Sequence, residues 1–445
     1  MDDDGLSVVI REEVDMNLMK MSSSTTVLIA ICVAVAYVCS EATAVEQRVF
    51  LDFDSGVDGS IVYTTVMRDA VEELMVSHYA GFDVVISQTT PAAPFSQITF
   101  NAGATGVIAQ HIDFRNLDPS DTALVNVDGI GFVSTAELIS ASAILASQGL
   151  GHLMGLRHGD AFGPIGLGIH SPPGAAAYSP AYPGPSGADE TLDHIMATPA
   201  ALGLPIINLT TPSWFSERAA CKLQFSLTGS VIPEDPGPKG TLPTAQPISL
   251  DPIIVPNTIV AGDNADGCNF SVDAVTVLGT LSVPGELDIY SFDAIAGDLF
   301  NFEVISNVMP QRIADPIDST ITILDSTGTP ITYYSSTAIN DDEFETFDSI
   351  LIDLSILADD TYYVVIDTFS GVDIGSYELF GYRFSLLPAC PADIDCSGSV
   401  NVTDLLSLLA GWGPNPGGHA ADINGDGQVN VTDLLALLAA WGACP

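Results

Sequence analysis

Residues 400–413 read Val-Asn-Val-Thr-Asp-Leu-Leu-Ser-Leu-Leu-Ala-Gly-Trp-Gly, and residues 429–442 return almost unchanged as Val-Asn-Val-Thr-Asp-Leu-Leu-Ala-Leu-Leu-Ala-Ala-Trp-Gly. A repeat of this kind marks one structural unit used twice. Each copy overlaps the end of an acidic loop. The second loop places oxygen-bearing side chains at its positions one, three, five, nine and twelve, namely Asp422, Asn424, Asp426, Asn430 and Asp433, with Gly427 at six and Gln428 at seven. A hard cation such as calcium takes about six to eight oxygens, and this spacing wraps alternate residues around one point while glycine permits the sharp turn. The first loop repeats the scheme with Asp393, Asp395, Ser397, Gly398, Ser399, Asn401 and Asp404. Serine at position five is a poorer ligand than aspartate, so this loop is expected to bind less tightly.

In both copies the twelfth ligand is an aspartate, Asp404 or Asp433, where helix-loop-helix sensors use a bidentate glutamate, and only the helix after the loop is evident. In this the segment resembles dockerin type I modules, which are EF-hand-like pairs of calcium loops. The resemblance implies a small α-helical calcium module over 388–445 with two Ca2+ sites, and a docking role toward a cohesin-like or cell-surface partner. Leu405, Leu406, Leu408 and Leu409 and their counterparts Leu434, Leu435, Leu437 and Leu438 fit one apolar helix face, which predicts that the two units bury their leucines against each other. Trp412 and Trp441 are expected as core and cap residues. Cys390 and Cys444 bracket the module, and closing such a loop would stabilise it by about 4 kcal/mol in the chain-entropy model.

The 56 acidic residues against 11 basic ones give a formal charge of -45, a field that repels phosphate backbones and excludes nucleic acid as a partner. Most of that charge is a solvated surface, and the loop carboxylates are its cation-binding part. With 445 residues, 47% of them apolar and 15% charged, the chain has the material for several packed domains and not the composition of a disordered one. Val27 to Val38 is an apolar run too short to span a bilayer but suited to a signal-peptide core, and Ala42-Thr43-Ala44 supplies the small-x-small cleavage site. Asp2 to Asp15 is mostly acidic, which a signal start should not be, so translation is expected to begin at Met19, with residues 1–44 comprising a mis-called start plus the signal. Export without a transmembrane anchor follows. Cys221, Cys268, Cys390, Cys396 and Cys444 remain in the mature chain, where disulfides are permitted.

Prolines 233, 236, 238, 243, 247 and 252 suggest a linker from Thr228 to about Asn264 that enters a new domain. Short alternating or β-rich runs follow at 286–292, 299–304, 319–324, 350–354 and 362–366, which predicts an all-β sandwich over 229–387. Through Asp288-Ile289-Tyr290-Ser291-Phe292, the Ala296-Gly297-Asp298 turn, Asn340-Asp341-Asp342 and Gly375-Ser376-Tyr377-Glu378-Leu379 this segment resembles the pre-peptidase C-terminal domains of secreted peptidases. That implies an accessory module attached to a peptidase. Asp318, Asp341 and Asp342 either hold a further calcium or are solvated turn residues.

Over 45–228 the pattern is mixed α+β. Strands are expected at 49–53, 84–87, 97–100 and 123–127, a helix at 63–79, and a buried central helix at 134–154 that is apolar nearly all round. That helix ends in Gln148-Gly149-Leu150-Gly151-His152-Leu153-Met154-Gly155-Leu156-Arg157-His158-Gly159-Asp160. The run resembles the metzincin metallopeptidase pattern HExxHxxGxxH with its first two letters replaced, and His194-Ile195-Met196-Ala197-Thr198 resembles the Met-turn of those enzymes. The resemblance implies zinc bound by His152 and His158, with Met196 beneath it. Gln148 stands where the first zinc histidine would be and Gly149 where the catalytic glutamate would be. An amide is a poor zinc ligand, and loss of a general base costs about 10²–10⁴ in rate. Weak zinc binding is expected, with Asp160, His194 or Gln148 as third donor, and no catalytic residue is assigned. The favoured reading is an exported, calcium-binding, non-catalytic protein whose peptidase-like domain holds a polypeptide or glycan. An active zinc peptidase with an atypical site, and an accessory protein of extracellular polysaccharide degradation, remain the alternatives.

Overall fold

The computed structural model describes residues 46–161, 194–197, 213–256, 270–333, 336–342, 346–384, 390, 392–395, 397–414, 421–424 and 428–444. The signal segment, Cys268, Cys396 and Asp426 lie outside them. Strand β1 (Gln47–Asp52) alternates buried and half-buried residues, as a strand with one face on a core must. It sits between parallel neighbours β2 (Val84–Ser87) and β3 (Ser96–Phe100); β5 (Thr122–Asn126) continues the parallel set, and β4 (Gly106–Ala109) closes the edge antiparallel. The order is β2-β1-β3-β5-β4. Helix α1 (Thr65–His78) and helix α2 (Thr135–Leu153) pack on this sheet and on each other.

Helix α2 starts where sequence chemistry says it should. Ser134 caps it by accepting from the Glu137 amide, and Glu137 returns the contact to the Val133 amide. Ala141 through Leu153 are all buried, so the helix is a core element with no solvated face in its second half. It stops at Gly155, whose φ of +90° suits only glycine and whose Cα approaches Phe114 so closely that a Cβ would lie 2.4 Å from the Phe114 Cα. The chain then turns back into a short 3-10 segment, His158–Ala161. After an undescribed stretch, helix α3 (Glu217–Thr228) follows, capped by Ser216.

The second domain is a β-sandwich. One sheet runs β15-β12-β17-β10-β7 and the other β16-β11-β18-β9-β6, with β8 also on β9. Its strands are β6 (Val231–Pro233), β7 (Gln246–Pro247), β8 (Asp251–Val255), β9 (Phe270–Leu281), β10 (Asp288–Ala294), β11 (Leu299–Ile305), β12 (Ser319–Leu324), β15 (Ile339–Asn340), β16 (Ile350–Ser355), β17 (Asp360–Thr368) and β18 (Gly375–Phe384), plus the small hairpin of β13 (Thr332–Tyr333) and β14 (Ser336–Thr337). The expected linker is therefore corrected: its proline-rich first part supplies β6, β7 and β8. Proline is tolerated there because β6 and β7 are sheet edges that need not donate a full ladder.

The two domains share one core. Val255, Val272, Ala274, Phe380 and Tyr382 of the sandwich join Val71, Phe114, Leu150 and Phe225 of the first domain in a single buried cluster. Phe380 meets both Phe114 and Phe225, with ring centroids 5.1 and 4.8 Å away. Buried ion pairs surround this contact. Arg115 grips Glu378 with two bonds of 2.7 and 2.8 Å, Lys222 joins Asp160 to Glu303, and Arg157 reaches Glu303 and Asp348.

The C-terminal module has its own small core of Ala392, Ile394, Val400, Leu408, Ala421, Val429 and Leu437. Its helices are α4 (Val402–Ala410) and α5 (Val431–Ala439). Strand β19 (Ser399–Val400) of the first loop pairs with β22 (Gly442–Ala443) after the second helix, and β20 (Gly413–Pro414) after the first helix pairs with β21 (Gln428–Val429) of the second loop. Each unit thus closes on the tail of the other. Cys390 and Cys444 form the disulfide that clasps the ends.

Candidate functional sites

In the first C-terminal loop, carboxylate oxygens of Asp393, Asp395 and Asp404 all lie within 4.8 Å of one another, the spacing a single cation requires. Backbone amides set that geometry. Asp404 accepts from the Asp395 amide at 3.0 Å and the Asn401 amide at 2.8 Å, while Asp393 accepts from Ser397 and Gly398. Burial works against the Asp404 charge, but these amide donors outweigh it and hold the carboxyl below its ordinary range. Gly398 sits at φ +81°, the turn that position six demands. The Ser399 carbonyl accepts from the Ser397 hydroxyl and from the Asn401 side-chain Nδ2.

The described residues of the second loop repeat the amide pattern at the twelfth position. Asp433 accepts from the Asn424 amide at 3.2 Å and the Asn430 amide at 2.8 Å. Asn401 and Asn430 also cap their helices, accepting from the Thr403 and Thr432 amides. Asp422 and Gln428 frame this loop, and Asp426 lies outside the described residues. Clustered carboxylates held by donors that do not neutralise them fit calcium, which would supply the missing positive charge and hold the loop closed.

Leucine packing differs from the sequence expectation. Leu408 and Leu437 are fully buried and Leu405 and Leu434 pack beside them, but Leu406 and Leu435 are each 61% exposed. Leu409, Leu438, Val402 and Val431 are about as open, and Trp412 and Trp441, expected as core and cap, are half exposed. The physical reason is that a two-helix unit this thin can bury only one leucine stripe; the i, i+4, i+7 stripe of Val402, Leu406 and Leu409 faces outward. Apolar residues on both faces of so short a helix were the signal for this surface, whereas sequence reasoning placed all four leucines of each repeat on one buried face.

In the first domain, the Gly155 turn brings His158 back onto His152, with ring centroids 4.9 Å apart and the rings nearly perpendicular. His152 donates through Nδ1 to the Leu156 carbonyl at 2.9 Å, which leaves Nε2 as an acceptor. Burial depresses the pKa of His152 and, with its neighbour, pulls His158 down to about 3, so both rings are neutral, the form that binds metal. Met196 lies under the helix, its sulfur 2.8 Å from where a Cβ on Gly151 would be.

Among the described residues a third zinc donor is not assembled. Gln148 donates to the Ile195 carbonyl at 3.3 Å, so it ties the helix to the Met196 segment. Asp160 is engaged by the Arg157 amide and by Lys222. His194 is bonded through Nδ1 to the Ala161 carbonyl at 2.7 Å. Among the described residues no His, Cys, Asp or Glu joins His152 and His158 with all donor atoms within 4.8 Å. The two imidazoles that the described residues supply are one ligand short of a zinc tripod. Position 149 is also filled from the sheet side: a Cβ there would lie 2.8 Å from Val107 Cγ2 on β4 and 3.1 Å from the Ala123 Cβ on β5. Sequence reasoning missed Val107, because nothing in the sequence shows which strand meets Gly149.

Comparison with known proteins places these observations. Residues 391–440 match the family model of the dockerin type I domain. The C-terminus of this chain is a dockerin type I domain. No curated protein matches the chain significantly. Among solved structures, the pre-peptidase C-terminal domain of a collagenase from Bacillus anthracis is similar at 15% identity, covering 23% of this chain and 84% of that one, with a TM-score of 0.18. PliG of Aeromonas hydrophila, a periplasmic inhibitor of g-type lysozyme, is similar at 8% identity, covering 35% and 98%, also with a TM-score of 0.18. The dockerin domain thus carries the calcium loops, and the chain is a modular protein that bears it.

Proposed function

We propose that this chain is an exported protein whose dockerin domain, folded by two calcium ions, anchors it to a cohesin-type partner, while a peptidase-derived first domain holds a polypeptide or glycan without cleaving it. The observation that carries the docking part is the pair of equivalent apolar stripes, Val402, Leu406, Leu409 and Trp412 against Val431, Leu435, Leu438 and Trp441, left open on a module whose own core is already complete. Calcium positions α4 and α5 through Asp404 and Asp433, which sit in their first turns. Binding to a cohesin module should therefore require calcium and fail when Leu406 and Leu435 are both replaced by aspartate. Retained affinity in that folded double variant would remove the docking surface from consideration. The short apolar run at 27–38 and the Cys390–Cys444 disulfide support export. Among the described residues no helix is long and apolar enough to cross a membrane.

The first domain is read as metzincin-derived on the turn from His152 through Gly155 to His158 and on Met196 beneath Gly151. Its inactivity is inferred from the donor set: two neutral imidazoles, Gln148 spent on Ile195, and a glycine packed against Val107 where a proton-transferring glutamate would be. Zinc content of the purified chain and cleavage of an unstructured casein-like substrate test this reading. Substoichiometric zinc and no cleavage are expected, and chelator-sensitive proteolysis would overturn it.

A further inference from the structure

The loops at the C-terminal ends of β1, β3 and β5 hold a set of oxygens that neither the dockerin loops nor the histidine pair uses. Asn101, directly after β3, has a left-handed backbone with φ 56° and is only 8% exposed. Its Nδ2 donates to the Ile61 carbonyl at 2.8 Å, which fixes the orientation of the amide. The Oδ1 atom is buried and has no hydrogen-bond partner. Asn126, at the end of β5 and equally buried, is oriented the same way: Nδ2 donates to the Gly103 carbonyl at 2.8 Å and Oδ1 accepts from the Asp128 amide at 2.9 Å.

Both amide oxygens converge beside Gly59 in the β1–α1 loop. They lie 2.7 Å (Asn101) and 2.9 Å (Asn126) from the point where a side chain at 59 would begin, so only glycine lets both oxygens approach this closely. Two carboxylates flank it. Asp58 accepts from the Gly103 amide through Oδ2 at 2.8 Å, and Asp128 accepts from the Ser60 amide and hydroxyl through Oδ2 at 3.0 and 2.9 Å. Among the described residues neither is in an ion pair, and the nearby Arg68 is committed to Asp54 through both terminal nitrogens. A buried amide oxygen without a donor costs free energy. Here it lies beside Gly59 with the Asn126 oxygen, between Asp58 and Ser60, the residue that holds Asp128. Oxygen ligands with net negative charge and no nitrogen or sulfur select a hard cation.

We propose that Asn101, Asn126, Asp58 and Asp128 hold a calcium ion that pins the β1–α1 loop across the ends of β3 and β5, with water completing the shell. The test counts calcium on the full chain by equilibrium dialysis after chelator treatment, in a background where Asp404→Ala and Asp433→Ala disable the dockerin loops. That chain should retain about one calcium. Adding Asp58→Asn and Asp128→Asn, which keep side-chain shape and an acceptor for each loop amide, should abolish it while the circular dichroism of the first two domains is unchanged. A loop-disabled chain that binds no calcium overturns the proposal. So does a folded Asp58→Asn, Asp128→Asn chain that keeps its calcium, which would place the ion elsewhere, for example among the turn aspartates of the sandwich.

Discussion

Gly149 shows how one residue can decide between two histories of a site. A sequence pattern alone suggests that Gln148→His with Gly149→Glu would rebuild a zinc peptidase, since position 148 lies one helical turn before His152. Packing opposes this, because any Cβ at 149 runs into Val107 and Ala123, and Ala123 has no flexible end to move. The double substitution is therefore expected to lower the melting temperature, by the amount that about 1–3 kcal/mol of overpacking implies, and to bind zinc poorly. Adding Val107→Ala should restore stability and raise zinc toward one ion per chain; a double variant that is fully stable without it would show that β4 yields. His78 offers a second test at this scale. Its Nδ1 meets the Ser147 hydroxyl at 2.8 Å, and burial pulls its pKa from the ordinary 6.5 down to about 4. The unfolded chain then binds more protons than the folded one between those values, so stability should fall as pH drops from about 6.5 toward 4. His78→Gln should flatten that part of the melting profile, and an unchanged slope would assign the acid sensitivity to other groups.

Among the elements, legibility tracked how local the cause was. Helix α2 was readable nearly to the residue because Ser134 and Gly155 mark its ends by chemistry that acts within a few positions. Strands β12 and β2 were readable for the same reason. Strands β4 and β9 were not seen, and β6 to β8 were read as a linker, because their pairing partners lie far away in sequence and their prolines mimic a linker composition. The first acidic loop was legible as far as Asp393, Asp395 and Asp404, which converge as their spacing implies, since ligand spacing is itself a local property. The outward leucine stripe was not, because which of two apolar faces is buried depends on what packs there. These elements predict a calcium response. Each unit's loop strand pairs with the other's tail, so emptying one loop should loosen both. Asp433→Ala alone is expected to lower the helix signal of both α4 and α5 in the calcium-loaded protein, followed by amide exchange. Protection lost only in α5 would mean that the two units fold independently.

Across the whole molecule, the strongest constraint is the buried charge between the first domain and the sandwich. Glu303 on β11 receives Arg157, which directly precedes His158, and Lys222 on α3 at 2.7 Å; all three side chains are nearly inaccessible. Burial opposes the Glu303 charge, and the two cations more than offset it, holding the carboxyl below its usual range. Buried pairs of this kind add little over a well-packed apolar contact, but removing one partner leaves an uncompensated charge that costs about 3–5 kcal/mol. Here the removal of one carboxylate takes a partner from two cations at once and leaves Arg157 with Asp348 and Lys222 with Asp160. Because the same interface is also a continuous apolar core through Phe114, Phe225 and Phe380, the sandwich cannot be a detachable accessory. The first domain and the sandwich are expected to melt in one calorimetric transition, with the calcium-dependent dockerin transition separable by chelation. Glu303→Leu should shift that shared transition downward as a unit, whereas Glu286→Leu, at a half-buried turn position remote from this network, should shift it far less. Two resolved transitions, with only the sandwich transition moved by Glu303→Leu, would show that the domains are energetically independent despite their shared core.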